Sequence, residues 1–88
     1  MPTTDPSANQ LRSSIKETIS KVTQLNPAEI HDNVAFDELG IDSLTAMEVM
    51  VQLEYAYQAK IPPEELAAIR NVDDAIVVLQ RHLGSGGS

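Results

Sequence analysis

The dipeptide Asp42-Ser43 contains the residues of this sequence that are the best candidates for a reactive site. A serine hydroxyl becomes a nucleophile when a neighbouring base takes its proton. Neither His31 nor His82 has a sequence feature that ties it to Ser43, so an unaided nucleophile is not expected. Asp and Ser are also favoured helix N-caps, because their side-chain oxygens accept from unpaired amides of the first turn. Ser43 is therefore either a helix cap or a hydroxyl presented to another enzyme.

The composition excludes several other kinds of chemistry. The 88 residues suffice for one small domain, and they include no cysteine for a disulfide, a thiolate zinc site or sulfur chemistry. The net charge of −7, from 13 acidic and 6 basic residues, argues against nucleic-acid binding. The sequence contains no apolar run long enough for a membrane span and no signal-peptide pattern at its start. We expect a cytoplasmic protein without a metal site.

The acidic residues are concentrated in one part of the chain. Between Glu29 and Glu65 the sequence has nine acidic residues and a single base, Lys60. A one-sided acidic field favours a partner with a basic surface. The alternative is an ordinary solvated surface, which is the commoner meaning of a charge run.

Hydrophobic periodicity predicts four helices and no strand. The first spans about 8–24, where apolar residues recur at spacings of four, four and three. The second spans about 43–58, and a short third helix begins near Pro63. The fourth covers "NVDDAIVVLQRHL". The expected fold is an all-α, four-helix bundle of three long helices and one short third helix.

The long connection 25–41 and the fourth helix also give expectations for the core. Gly40 is expected to provide a tight turn, and Asn71 or Asp73 to cap the fourth helix. The expected core anchors of the connection are Val34, Phe36, Leu39 and Ile41. The expected inward side chains of the fourth helix are Val72, Ala75, Ile76, Leu79 and Leu83.

The two ends of the chain differ in composition from its middle. Residues 1–8 are rich in Pro, Thr and Ser, and the end "GSGGS" is typical of a flexible or engineered linker. We expect a folded domain at 9–83, flanked by a flexible start at 1–8 and a flexible tail at 84–88. So small a core has a stability margin of about 3–5 kcal/mol.

The second helix carries two apolar stripes. At 100° per residue, one covers about 100° of arc, enough to face a core. This core stripe consists of Ala46, Val49, Met50, Leu53 and Tyr57. The outer stripe on the opposite side consists of Leu44, Met47, Val51 and Tyr55. Glu48 and Glu54 flank the outer stripe, and an exposed apolar strip rimmed by carboxylates is typical of a docking surface. The alternative is that the connection 25–41 or the third helix covers it.

The string "LGIDSL", followed by "TAMEVMVQLE" and "AKIPPEEL", resembles the acyl carrier proteins of fatty acid and polyketide synthesis. The likeness covers about residues 11–83. In that family, the serine of Asp-Ser-Leu carries a 4′-phosphopantetheine arm, which a phosphopantetheinyl transferase attaches from coenzyme A with Mg²⁺. The resemblance implies that Ser43 is this attachment site and that the chain is a carrier, not an enzyme. Acyl groups ride as thioesters on the thiol of the arm, which fits a chain without cysteine.

The resemblance also implies which side chains meet partner enzymes. The acidic positions that match the family's partner contacts are Asp42, Glu48 and Glu54. The matching apolar positions around the arm are Leu44, Met47 and Val51. Ile61 and Ile69 match apolar positions near the acyl pocket or the partner face. The implied partners are the transferase and acyltransferases, ketosynthases and other acyl-processing enzymes with basic docking surfaces, and a monomer is expected.

The details favour one subtype and leave alternatives. Thr45-Ala46 after Leu44 is similar to polyketide carriers, with primary fatty acid synthesis as the alternative, while "GIDS" lacks the paired glycines of peptidyl carriers. A hydrolase with a Gly-Asp-Ser-Leu nucleophile is disfavoured, because Ile41 interrupts that motif. An unmodified acidic helical adaptor would use the outer stripe for binding alone and would gain no mass from coenzyme A.

Overall fold

The regular structure of this protein is helical throughout the part of the chain that the computed structural model describes, residues 6–86. No strand occurs within that range. The four helices are α1 (Ala8–Thr23), α2 (Ser43–Tyr57), α3 (Pro63–Ala68) and α4 (Val72–Gly86). Three are long and the third is short, so the predicted all-α bundle is confirmed.

A reciprocal capping box starts α1. The Ser7 hydroxyl accepts from the backbone amide of Gln10 at 3.2 Å, and the Gln10 side-chain oxygen accepts from the backbone amide of Ser7 at 2.8 Å. The helix ends at Gln24, which adopts a left-handed conformation with φ 68°. Of the apolar side chains that recur along α1, three are buried with 1% or less of their surface exposed, namely Leu11, Ile15 and Ile19, and Val22 packs against the core while half-buried.

The connection between α1 and α2 contains two short 3-10 turns, Pro27–Glu29 and Phe36–Leu39. Phe36 and Ile41 are buried as expected, and Leu39 packs against the core while half-buried. Val34, also an expected anchor, is only half-buried. The anchors are completed by Ile30, which has 1% exposure and was not predicted, because an isolated apolar residue in a loop has no periodicity.

The core lies where α1 packs against both α2 and α4, while α3 packs against α2. From α2 the buried side chains are Val49, Met50 and Leu53, all from the core stripe. From α4 they are Val72, Ala75, Ile76, Val78 and Leu79. Val78 was not expected to face inward, and the expected Leu83 is half-buried against the core.

The boundaries of α1 and α4 differ from the expected flexible ends. Ala8 is the first residue of α1, as the predicted helix start at about 8 indicated, and Ser7 caps it, although both lie in the segment 1–8 that was expected to be flexible. The helix α4 continues through Gly86, three residues past the expected domain end at 83. The other expected flexible residues, 1–5 and 87–88, lie outside the described residues. Of the two candidate caps of α4, Asn71 accepts from the backbone amide of Asp74 at 2.8 Å.

No helix in the described range is both long enough and apolar enough to cross a membrane.

Candidate functional site

Asp42 and Ser43 divide between them the two roles that the sequence left open. Asp42 is the N-cap of α2, and its Oδ1 accepts from the backbone amide of Thr45 at 2.8 Å. This hydrogen bond holds the pKa of the Asp42 carboxyl below its usual value. Ser43 is the first residue of the helix and is exposed, and its hydroxyl makes no hydrogen bond within the described part of the chain. The Ser43 hydroxyl is therefore available to an outside reactant.

The segment before α2 fixes the place where Ser43 emerges. Gly40 has φ +79°, a conformation that side chains rarely adopt, and it turns the chain after the 3-10 turn Phe36–Leu39. The backbone amide of Ile41 then donates to the carbonyl of Phe36 at 2.9 Å, and the Ile41 side chain is 3% exposed. With Ile41 anchored in the core, the chain returns to the surface at Asp42 and Ser43.

Ser43 borders two neighbouring cavities between α2 and α3. The Ser43 cleft has a volume of about 250 Å³ and extends towards Phe36 and Arg70. The inner cavity has a volume of about 120 Å³ and extends towards Met50 and Leu66. Four residues line both cavities: Ser43, Ala46, Ala67 and Ile69. A group attached to Ser43 would therefore have an apolar path towards the interior beside it.

The outer stripe of α2 lies open on the surface. Its side chains are exposed by 79% for Leu44, 42% for Met47, 50% for Val51 and 89% for Tyr55. Neither the connection 25–41 nor α3 covers it, so the alternative of a covered stripe is wrong. Met47 also lines the inner cavity, which makes the stripe continuous with the space beside Ser43.

The two acids that flank the outer stripe have different surroundings. Glu48 is exposed and makes no hydrogen bond within the described residues. Glu54 is half-buried, and its Oε2 accepts from the backbone amide of Ile61 at 2.9 Å. This bond ties α2 to the connection that leads into α3. Glu54 therefore has a structural partner that its position on the helix did not indicate.

Ile61 and Ile69 are placed inside the bundle, with 5% and 7% of their surface exposed. Ile69 lines both cavities beside Ser43. Of the two settings that the sequence left open, the place of Ile69 fits a pocket wall, whereas Ile61 is buried but lines neither cavity. The cleft also includes Asp37 and Arg70, which sequence reasoning did not select, because only the fold brings them beside Ser43.

The short helix α3 is tied to α4 through one carboxylate. Glu65 Oε1 accepts from His82 Nε2 and from Arg81 Nη1, each at 2.9 Å. The hydrogen bond with His82 is the main reason that the pKa of the Glu65 carboxyl lies below its usual value. Since α3 contributes no fully buried side chain, these bonds help to hold the wall of the two cavities.

A four-helix bundle that presents a serine hydroxyl at the start of an acidic and apolar helix has the features of a carrier domain. The family model described as "Phosphopantetheine attachment site" matches residues 13–76, which is more than half of the chain. The chain therefore belongs to the phosphopantetheine-binding acyl carrier family, whose prosthetic group is 4′-phosphopantetheine.

Curated relatives agree with this family. The chain is 41% identical over 73 residues to the meromycolate extension acyl carrier protein of Mycobacterium tuberculosis, an alignment covering 82% of the chain. It is 38% identical over 76 residues to the protein of that name from Mycolicibacterium aurum, covering 85% of the chain and 78% of the relative. It is 31% identical over 75 residues to a non-reducing polyketide synthase of Emericella nidulans, covering 85% of the chain and 3% of the synthase. The chain spans 64% of the length of the Mycobacterium relatives it matches.

Proposed function

We propose that Ser43 carries the 4′-phosphopantetheine arm and that the chain presents acyl groups, bound to this arm as thioesters, to biosynthetic enzymes. The observation that carries this proposal is the exposed Ser43 hydroxyl, which has no hydrogen-bond partner among the described residues because Asp42 caps the helix. On this proposal the chain is a carrier without catalytic activity of its own.

The residues around Ser43 fit the chemistry of the arm. A phosphodiester needs a hydroxyl oxygen as its attachment point, and the N-terminus of a 15-residue helix favours a negative charge there. When bound, the arm supplies the thiol that this sequence lacks. The side chains of this chain would hold the base of the arm at Ser43 and offer apolar walls from Ala46, Ala67 and Ile69 beside it.

The test is an intact-mass measurement after incubation with coenzyme A, Mg²⁺ and a broad-specificity phosphopantetheinyl transferase. The chain should gain one phosphopantetheine, and Ser43→Ala should gain none. Ser13→Ala removes an exposed hydroxyl of α1 and serves as the matched control, with full modification expected. No gain by the unmodified chain would favour the acidic adaptor, and a gain by the Ser43→Ala variant would move the site elsewhere.

The inner cavity supports a role in sheltering the acyl chain. Met50, Leu53 and Ala75 have the adaptable or small side chains that an acyl pocket would use. Met50 lines this cavity, while Leu53 and Ala75 are buried elsewhere in the core. An acyl group that leaves water for these apolar walls gains about 0.8 kcal/mol per buried methylene. Sheltering would also keep the thioester away from water between visits to enzymes.

The outer stripe and its acidic surroundings support docking to enzymes with basic surfaces. Four acidic residues within the segment 37–48 are exposed: Asp37, Glu38, Asp42 and Glu48. Steering by such a field speeds encounters without requiring tight binding. The expected partners are the transferase, acyltransferases, ketosynthases and other acyl-processing enzymes. Among the two flanking acids, Glu48 is the one free to meet a partner, because Glu54 already bonds Ile61.

For the pathway, we propose polyketide or related specialised synthesis, supported by Thr45-Ala46 after the serine motif. The names of the mycobacterial relatives favour a second candidate, the extension of long lipid acyl chains. Holo protein charged with a malonyl group would be offered in parallel to a polyketide ketosynthase and to a fatty acid elongation ketosynthase. The more efficient condensation, judged by kcat/KM, identifies the class of pathway.

A further inference from the structure

Arg70 occupies a fixed place at the far wall of the Ser43 cleft. Its backbone amide donates to Asp74 Oδ2 at 3.1 Å, and its carbonyl accepts from the backbone amide of Phe36 at 2.8 Å. These two bonds hold the residue between the end of α3 and the start of α4. Arg70 itself is exposed, and it lines the cleft together with Ser43.

The guanidinium of Arg70 has no partner within the described residues. The other two arginines are engaged, since Arg12 pairs with Asp32 and Arg81 with Glu65. Among the residues that line the two cavities beside Ser43, Arg70 is the sole base. Because hydrogen bonds already hold the backbone of Arg70, only its side chain would lose conformational freedom when it binds a ligand.

Apart from the N-terminus of α2, which favours an anion, the charged groups beside Ser43 are unfavourable for a new negative charge. Asp37 lines the same cleft, and Asp42 adjoins the serine. A phosphodiester at Ser43 adds an anion beside these carboxylates, and charges interact over roughly 8 Å at physiological salt. A guanidinium suits a phosphate better than other cations do, because its planar array of donors matches two phosphate oxygens.

Resting on the proposed function, we propose that Arg70 binds the phosphodiester formed at Ser43 and thereby positions the base of the arm over the Ser43 cleft. The contact draws the arm towards Ala67 and Ile69, where the cleft adjoins the inner cavity. Arg70 is a positioning residue, because it acts on the direction of the arm and not on the thiol. Its pair with the phosphate is exposed and is therefore weakened by added salt.

The test is the ³¹P resonance of the holo protein, compared among wild type, Arg70→Lys, Arg70→Gln and Lys60→Gln. Lys60 is an exposed base outside both cavities, so Lys60→Gln changes the net charge as Arg70→Gln does without touching the cleft. At low salt, Arg70→Gln should displace the ³¹P resonance, Arg70→Lys should displace it less, and Lys60→Gln should leave it in place. High salt should move the wild-type resonance towards the position found for Arg70→Gln.

Two results would overturn the assignment of Arg70. The resonance could lie at one position in all four proteins, or Arg70→Gln and Lys60→Gln could displace it equally, which would indicate a long-range charge effect. Both results require that phosphopantetheine has been added, so they differ from a failure of the proposed function, in which no mass is gained. Amide spectra of the apo variants verify the fold. If Arg70→Gln perturbs the fold, the ³¹P resonance of Arg70→Lys tests the contact instead.

Discussion

The Glu54 carboxylate accepts a hydrogen bond from the backbone amide of Ile61, with 2.9 Å between Oε2 and the amide nitrogen. An acid near the end of α2 thereby fixes the start of the connection to α3. Ile61 is 5% exposed, so this bond and the side chain together hold the connection against the core. Glu48, six residues earlier and also beside the outer stripe, has no such bond to any described residue, and the two acids should respond differently to substitution.

Glu54→Ala should lower the free energy of unfolding by about 1–2 kcal/mol, because it removes a charged acceptor and leaves the Ile61 amide without its partner. Glu48→Ala should change it by less than about 0.5 kcal/mol, as expected for an exposed side chain without a hydrogen bond to the described residues. Urea unfolding followed by circular dichroism measures both variants. Equal midpoints for the two would contradict the structural role of Glu54.

Glu48 should affect docking to partner enzymes, although it contributes little to the stability of the fold. Glu48→Lys should raise the apparent Michaelis constant of a phosphopantetheinyl transferase or ketosynthase more than Glu48→Gln does, because it adds repulsion against a basic partner surface. Single exposed ion pairs contribute only about 0–1 kcal/mol, so the effect of Glu48→Gln should be modest. The difference should shrink at high salt. Constants equal to wild type for both variants at low and high salt would remove Glu48 from recognition.

The two stripes of α2 should differ sharply in their effect on stability. Leu53 has 1% exposure, and truncating a buried leucine to alanine costs about 2–5 kcal/mol, comparable with the estimated margin of about 3–5 kcal/mol. Leu53→Ala should therefore partly or wholly unfold the domain. Val51 is 50% exposed, and Val51→Ala should leave the melting temperature almost unchanged. Thermal melts that coincide for the two variants would show that the assignment of the stripes is wrong.

Low pH should reduce the free energy of unfolding partly through Asp32, whose carboxylate forms salt bridges with Lys16 at 2.8 Å and Arg12 at 2.5 Å. Burial raises the pKa of Asp32, but the hydrogen bonds from Lys16 and Arg12 lower it by more, so the carboxyl pKa lies below its ordinary value of 3.8. A lowered folded-state pKa stabilises the fold above the unfolded-state value, and this contribution disappears as the pH falls through the folded-state value.

Asp32→Asn should therefore lower the free energy of unfolding by about 1 kcal/mol at pH 7, the scale of a partly exposed ion-pair network. The difference from wild type should narrow below about pH 4 as the wild-type carboxylate takes up its proton. Urea midpoints across this range measure the effect. Glu17→Gln, which removes an exposed carboxylate of α1, is the control and should change little. A deficit of Asp32→Asn that stays constant down to pH 2 would contradict the ionic role.

The long helices were predictable from the sequence because their apolar residues recur with the period of a helix. The outer stripe of α2 was found in the same way, and its exposure on the surface is confirmed. Periodicity places a side chain on a face of its own helix but does not show which backbone group arrives beside it. The bond of Glu54 to Ile61 and the place of Arg70 beside Ser43 both depend on the path of connections, so they required the folded chain.

The adjacent residues Ala67 and Ala68 offer a matched test of the path for the acyl chain. Both are exposed on α3, but Ala67 lines the two cavities beside Ser43 and Ala68 lines neither of them. Leucine is a good helix former, so Ala67→Leu and Ala68→Leu should both keep the fold. The added side chain of Ala67→Leu should occupy the space between the Ser43 cleft and the inner cavity.

With an octanoyl group on the arm, Ala67→Leu should expose the thioester more often, since the acyl chain loses part of its apolar shelter. Cleavage of the thioester by hydroxylamine should then be several-fold faster in Ala67→Leu than in wild type, while Ala68→Leu should match wild type. The same comparison with an acetyl group is the internal control, because so short a chain has little to shelter and all three proteins should react alike. Equal octanoyl cleavage rates in the three proteins would place the acyl chain outside these cavities and leave Ala67 as a surface residue of α3.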